Sequence, residues 1–186
     1  DVRWIAADLL SQAEHGSGWE KSLCVCTSRE TAEAVKAEVL AQMQTLSRKA
    51  LVQRVIDRDG ILIVVAPDVQ AGLEVVNDFA PEHFEIMTKD ALKVMKGVRA
   101  AGAVFAGAWT PESAGDFVAG PSHVLPTGGA ARMFNGLTPD DFRRRHSFVS
   151  FTRDDLAQTK STIEAFAAVE GLDGHGRAAT IRFTRP

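Results

Sequence analysis

Gln12 and His15 stand three residues apart in a segment whose apolar residues Ile5, Leu9 and Leu10 recur at helical spacing, so both side chains leave one face toward a common point. Such a pair suits two metal ligands, and equally a solvated helix end. In Ala80-Pro81-Glu82-His83 the proline restricts the backbone just after a helical stretch and just before an extended one. The carboxylate and the imidazole that follow have ordinary pKa values of about 4.3 and about 6.5. They supply a group able to polarise water and a base poised near neutral pH, or else form a surface turn. Further on, glycines flank a second acid and imidazole in Gly115-Asp116-Phe117-Val118-Ala119-Gly120-Pro121-Ser122-His123, a pattern that permits close backbone approach to a ligand. Glu170 and His175 bracket the turn Gly171-Leu172-Asp173-Gly174, which by itself reads as a helix C-cap. Together, Gln12, His15, Asp116 and His175 offer two imidazole nitrogens and two oxygens, a set suited to zinc or a similar divalent ion such as manganese or cobalt.

Other candidates carry less. Cys24 and Cys26 face the same side of a predicted strand, as a redox or metal pair or as ordinary packing residues. Arg143-Arg144-Arg145-His146 reads as a solvated face or an anion contact at the start of a strand. Gly16-Ser17-Gly18 has two glycines of a dinucleotide fingerprint but lacks the third, and it follows a helix instead of a strand.

The elements that must position these groups alternate in type. Helix is expected over residues 3–15, strand over 22–27, and helix to about residue 45 behind a capping box from Thr27 to Glu30. A turn at Asp59-Gly60 precedes the run Ile61-Leu62-Ile63-Val64-Val65-Ala66, dense enough for a strand covered on both faces. A helix ending near Phe79, strands at 83–87 and 103–106 and a helix over about 89–98 complete the pattern. Residues 107–146 form a long glycine- and proline-punctuated stretch. A helix over about 153–170 opens the tail. The order predicts an α/β fold: an incomplete Rossmann-like twisted sheet with flanking helices, plus a small C-terminal helical extension. The expected organisation is a main α/β domain over residues 1–146 and an extension over 147–186.

The 186 residues carry 21 basic against 24 acidic side chains and no long basic stripe, which excludes an electrostatic footprint for nucleic acid. No apolar run approaches the roughly 20 residues that cross a bilayer. Without a signal-peptide layout at Asp1-Val2-Arg3-Trp4, and with two cysteines, a cytoplasmic protein is expected.

Four segments, Leu9-Leu10-Ser11-Gln12-Ala13-Glu14-His15-Gly16, Ala80-Pro81-Glu82-His83, Gly115 to Thr127 and Val169-Glu170-Gly171-Leu172-Asp173-Gly174-His175, together resemble histidinol dehydrogenase, in order along nearly the whole chain. The resemblance implies oxidation of L-histidinol, through the aldehyde, to L-histidine with two NAD+, ending histidine biosynthesis, in an intertwined homodimer with one zinc per site. It implies that Gln12, His15, Asp116 and His175 hold the zinc and contact substrate, and that His83 is the general base. Glu82 would activate water, His123 would contact substrate, and Glu170 would bind the substrate's ammonium. Glu170 and His175 would reach the neighbouring subunit's site.

The likeness covers only the C-terminal part of such an enzyme, somewhat under half. The nicotinamide-binding domain and a substrate-contacting serine are expected upstream of Asp1, so the chain alone is expected to bind zinc without turnover, with no NAD-binding residue of its own. The Arg143 to His146 run, where the family carries small residues, leaves room for a related NAD-dependent dehydrogenase of another small polar alcohol, such as a sulfonated diol. Glu170 favours an amino-bearing substrate instead. A non-catalytic zinc-binding or dimerisation module is a third possibility, against which Glu82 and His83 speak, since neither is needed to hold a metal.

Overall fold

The computed structural model describes residues 1–184. The chain divides into two compact units, Asp1–Phe142 and the remainder from Arg143. The first is mixed α/β with short parallel strands and flanking helices. In order it contains α1 (Val2–Ala13), β1 (Ser22–Cys26), α2 (Arg29–Met43), α3 (Lys49–Ile56), β2 (Ile61–Val65), α4 (Val69–Phe79), β3 (His83–Ile86), α5 (Ala91–Met95), β4 (Ala103–Ala106) and α6 (Glu112–Phe117).

Helix starts follow local chemistry. The Asp1 carboxylate accepts from the Arg3 amide, Ser28 from Thr31 and Asp68 from Ala71, so each satisfies a donor that its helix leaves orphaned. The cap of α2 is thus Ser28 and not Thr27, the neighbouring hydroxyl that sequence spacing favoured. Helix α4 ends on Ala80, whose left-handed backbone at φ 52° is costly for a residue with a Cβ. Pro81 follows at once, and the two reverse the chain between α4 and β3.

Parallel strands need crossovers, and here helices supply them. Strand β1 pairs with β2 from Ser22↔Ile61 to Cys26↔Val65, across α2 and α3. Strand β3 pairs with β4 from His83↔Ala103 to Ile86↔Ala106, across α5. Among the described residues the strands form these two pairs and not one run of four. The apolar β2 run is only partly covered. Ile61 and Ile63 pack on the core built by α1, α2 and α3, while Leu62 and Val65 remain 38% and 43% exposed. Val35, Val52 and Val55 sit at the centre of that core, fully buried.

Two further departures concern stretches that the pattern left irregular. Residues 49–56 form α3, and the 107–146 stretch holds α6 and two 3-10 turns, Ala130–Arg132 and Pro139–Phe142. His146 starts no strand, because residues 143–152 have no regular structure and are exposed.

The second unit is a helical hairpin. Helix α7 (Arg153–Glu170) opens on a reciprocal capping box between Thr152 and Asp155 and closes on Gly171 at φ 68°. Helix α8 (Asp173–Thr180) packs back through Gly176, where an added Cβ would lie 3.3 Å from Ala167 Cβ. No helix among the described residues is long and apolar enough to cross a membrane.

Candidate functional site

In the first unit a cavity of ≈ 940 Å³ is lined by Asp8, Gln12, Glu82, His83, Glu85 and Glu112 among other residues. That volume falls in the range of small-molecule sites. Three elements bring these side chains together: the last two turns of α1, the start of β3 and the first turn of α6.

His83 is the first residue of β3, and its side chain is 11% exposed. Neither ring nitrogen has a hydrogen-bond partner among the described residues, an unusual state for a buried imidazole. Its Nε2 lies 3.5 Å from Asp116 Oδ1, and Phe105 packs on the ring with centroids 5.9 Å apart. His83, Glu112 and Asp116 place one ring nitrogen and two carboxylate oxygens within 4.8 Å of one another. Of the three, His83 and Glu112 line the cavity.

Glu82 immediately precedes that strand. Burial pushes its carboxyl above the ordinary range, the charges of His83 and His15 pull it back, and Asp116 and Glu112 push it up again. A carboxylate so placed is a stronger base than one in water.

Gln12 occupies the last turn of α1 and faces the cavity. His15 lies one residue beyond the cap, Glu14, so the helical spacing predicted for the pair ends before the second member. The exposed His15 ring folds back, and its Nδ1 lies 3.2 Å from the Ser11 carbonyl and 3.1 Å from that of Gln12. Donation from Nδ1 meets the Ser11 and Gln12 carbonyls at the helix end and leaves Nε2 as the lone-pair nitrogen. Metal-binding histidines adopt this same arrangement. Gln12, His15 and Asp116 are residue types that suit a zinc-type ion, but among the described residues Asp116 groups with His83 and Glu112, and His15 stands outside that group.

Not every predicted residue joins this group. His123 sits on an exposed loop after α6 and does not line the cavity. Glu170 ends α7 and His175 lies in α8, both exposed and both in the second unit. Cys24 is buried, and that burial, with Cys26 nearby, pushes its thiol up to about 11. The Cys26 thiol donates to the Ser28 carbonyl, so the pair behaves as packing residues.

Three carboxyls escaped the sequence reading: Asp8, Glu85 and Glu112. Each had a signal in spacing, since Asp8 stands one turn before Gln12, Glu112 one turn before Asp116, and Glu85 two residues after His83 on the same strand face. Glu85 accepts the Glu112 amide at 2.8 Å, and the Ser11 hydroxyl donates to Glu112 at 2.7 Å. Burial first, then a hydrogen bond and the charge of Asp8, push Glu85 up to about 8, while burial raises Asp8 as well.

The family model for histidinol dehydrogenase matches residues 1–183. The histidinol dehydrogenase of Bacillus cereus is 42% identical over 183 residues, a match spanning 98% of this chain and 42% of that protein. The enzyme of the same name from Listeria monocytogenes is 39% identical over 180 residues, with 97% and 42% covered. Among solved structures, the crystal structure of histidinol dehydrogenase from Elizabethkingia anophelis superposes with a TM-score of 0.87 at 30% identity, covering 98% of this chain and 41% of that one. The chain spans about two fifths of the length of the relatives it matches. With its length matched almost end to end by sequence and by structure, the chain belongs to the histidinol dehydrogenase family.

Proposed function

We propose that the chain carries the metal- and substrate-binding side of a site that oxidises L-histidinol to L-histidine. The observation that carries this reading is the buried His83 ring, both nitrogens unpartnered among the described residues, with Asp116 at 3.5 Å and the adjoining Glu82 carboxyl raised above its ordinary range. A base and a carboxylate so disposed suit two successive proton abstractions.

In the first, His83 takes the hydroxyl proton as the carbinol carbon gives up hydride and becomes the aldehyde. In the second, Glu82 takes a proton from water as its oxygen attacks the aldehyde carbon, and the resulting hydrate gives hydride to NAD+ and its remaining protons to His83 and solvent, leaving the carboxylate. Asp116 steadies the protonated imidazole. Gln12, His15 and Asp116, with His175 from a second copy of the chain, would hold zinc, which would fix the substrate's amino and imidazole nitrogens by its charge. Glu170 of that second copy would accept from the substrate ammonium, and His123 would contact substrate. No segment of the chain forms a dinucleotide fingerprint, so binding of the hydride acceptor NAD+ falls to the part of the relatives outside the match. The chain alone would then bind metal without turnover.

The test uses the chain assembled with that complementary region, given L-histidinol and NAD+. His83→Asn is expected to lower turnover by roughly a hundred- to ten-thousand-fold. Glu82→Gln is expected to let the first oxidation run and to reduce the NADH formed per histidinol from two toward one as aldehyde builds up. A His83→Asn rate equal to wild type would overturn the proposal.

A further inference from the structure

We infer that Glu112 is a positioning residue that pins α6 to both α1 and β3 and thereby sets Asp116 against Gln12 and His83. The inference rests on the proposed function for only one of its two readouts.

Helix α6 is six residues long, and isolated helices below roughly 12–15 residues are marginal in water. It also contains Gly115, and its N-cap residue, Pro111, makes no side-chain bond. What holds it must come from neighbouring elements. The Glu112 amide, a donor that the helix itself leaves orphaned, donates to Glu85 Oε1 on β3 at 2.8 Å. Glu112 Oε2 accepts from the Ser11 hydroxyl on α1 at 2.7 Å, a part-buried bond between residues 101 positions apart.

Both bonds are made beside site residues. Ser11 immediately precedes Gln12, Glu85 is two residues after His83 on one face of β3, and Asp116 is one turn after Glu112 on α6. The 3.5 Å between His83 Nε2 and Asp116 Oδ1 is therefore set by where these two bonds hold α6. The role asks for reach and an acceptor oxygen, and it does not ask for charge. Glutamine has the same reach and keeps an oxygen acceptor for Ser11. Aspartate keeps the charge but is one methylene shorter, a loss of about 1.5 Å. A metal ligand or an electrostatic partner of His83 would rank the two substitutions in the opposite order.

The experiment compares the 186-residue chain with Glu112→Gln, Glu112→Asp, Ser11→Ala and the double variant Ser11→Ala/Glu112→Asp. The first readout is hydrogen exchange at the Glu112 amide and at the Val118 amide, which donates to the Ala114 carbonyl across α6. Ser11→Ala and Glu112→Asp are expected to speed exchange there at least about tenfold, with the amides of α2 unchanged within about threefold. Glu112→Gln should stay within about threefold of wild type, and the double variant should be no worse than either single one. The second readout is Co2+ binding followed by visible absorption. The same two single variants are expected to weaken it by roughly ten- to a hundredfold, as loss of a ligand-orienting partner does, and Glu112→Gln to leave it nearly intact. Exchange at α6 that is fast in wild type, or equal in all five proteins, would overturn the inference. So would a Glu112→Gln that loses Co2+ while Glu112→Asp keeps it, or Co2+ affinities that stay equal. Should wild type take up no Co2+, the ligand assignment is what fails, and the exchange pattern alone upholds or overturns the role of Glu112.

Discussion

Gly115 packs α6 against β4 at a distance that no side chain tolerates. A methyl group at residue 115 would lie 2.7 Å from Phe105 Cζ and closer still to Cε1, well inside the roughly 3.5–4.0 Å of a carbon–carbon contact. Relief requires about 1 Å of movement. Phe105 is only 7% exposed and already packs on His83, so its ring has nowhere to retreat. The alternative is that α6 moves outward, which lengthens the Glu112–Glu85 bond of 2.8 Å and the His83–Asp116 separation of 3.5 Å.

Two effects compete in Gly115→Ala. Alanine favours helix by up to about 1 kcal/mol over glycine. Overpacking costs about 1–3 kcal/mol, and the severity of this overlap places it in the upper half. A net loss of about 1–2 kcal/mol corresponds to a Tm lowered by roughly 2–8 °C for a domain of this size. Thermal unfolding followed by circular dichroism at pH 7 reads the sign directly. In Gly115→Ala/Phe105→Leu, where the ring is gone, the added methyl should cost nothing beyond the Phe105→Leu change, a coupling of at least about 1 kcal/mol. A rise of Tm by 2–4 °C in Gly115→Ala, the result that helix propensity alone gives, would refute the argument that Gly115 sets the α6–β4 spacing.

Two pH dependences follow from carboxyls with opposite shifts. For Glu20 burial opposes ionisation, but hydrogen bonds from the Ser17 and Gly18 amides, at 2.6 and 2.8 Å, and from the Ser17 side chain outweigh it and bring the group down to about 2. The stabilisation is therefore present above the unfolded value of 4.5 and is lost as pH falls toward about 2. The Tm deficit of Glu20→Gln should accordingly be largest near pH 7 and vanish near pH 2, and a deficit independent of pH would count against it. Glu85 behaves in the reverse sense. Raised by burial and by Asp8 from 4.5 to about 8, it holds a proton that the unfolded chain has already released, so stability declines between those values as pH rises. Glu85→Gln should match wild type at pH 4 and gain on it by pH 8, whereas parallel Tm curves would disprove the shift.

Much of the fold is legible in local pattern, because the local pattern is what makes it. The β-branched run at Ile61 to Val65 and the apolar spacing of Leu9 and Leu10 each specify an element without help from distant residues. Pairing is different. That β1 joins β2 and β3 joins β4 depends on which edges meet after two crossovers, and no run of residues encodes this locally. The α2 cap shows the limit at short range, since Thr27 and Ser28 both carry hydroxyls and only the helix phase selects Ser28. Helix α6 escaped notice because it is six residues long and contains Gly115, whose helix cost is offset by contact with β4.

The site was legible as a set of residue types and illegible as an electrostatic system. His83 and Glu82 stand out because imidazole beside carboxylate is chemically conspicuous, whereas Asp8, Glu85 and Glu112 resemble any surface acid until their burial is known. Their role emerges only from the sum. Glu112 and Asp116 gather at the His83 ring while Asp8, Glu82 and Glu85 line the cavity beside it, and among the described residues no lysine or arginine is among the charges that shift Glu82 or Glu85. Burial first, and the charges of neighbouring acids after it, raise the Asp8, Glu82 and Glu85 carboxyls above their ordinary range. An incoming cation, whether a metal ion or a substrate ammonium, changes that balance with a fixed sign. It lowers the carboxyl pKa values and so opposes the rise that burial gives Glu82. The acid excess around His83 therefore favours entry of a cation over that of an anionic ligand.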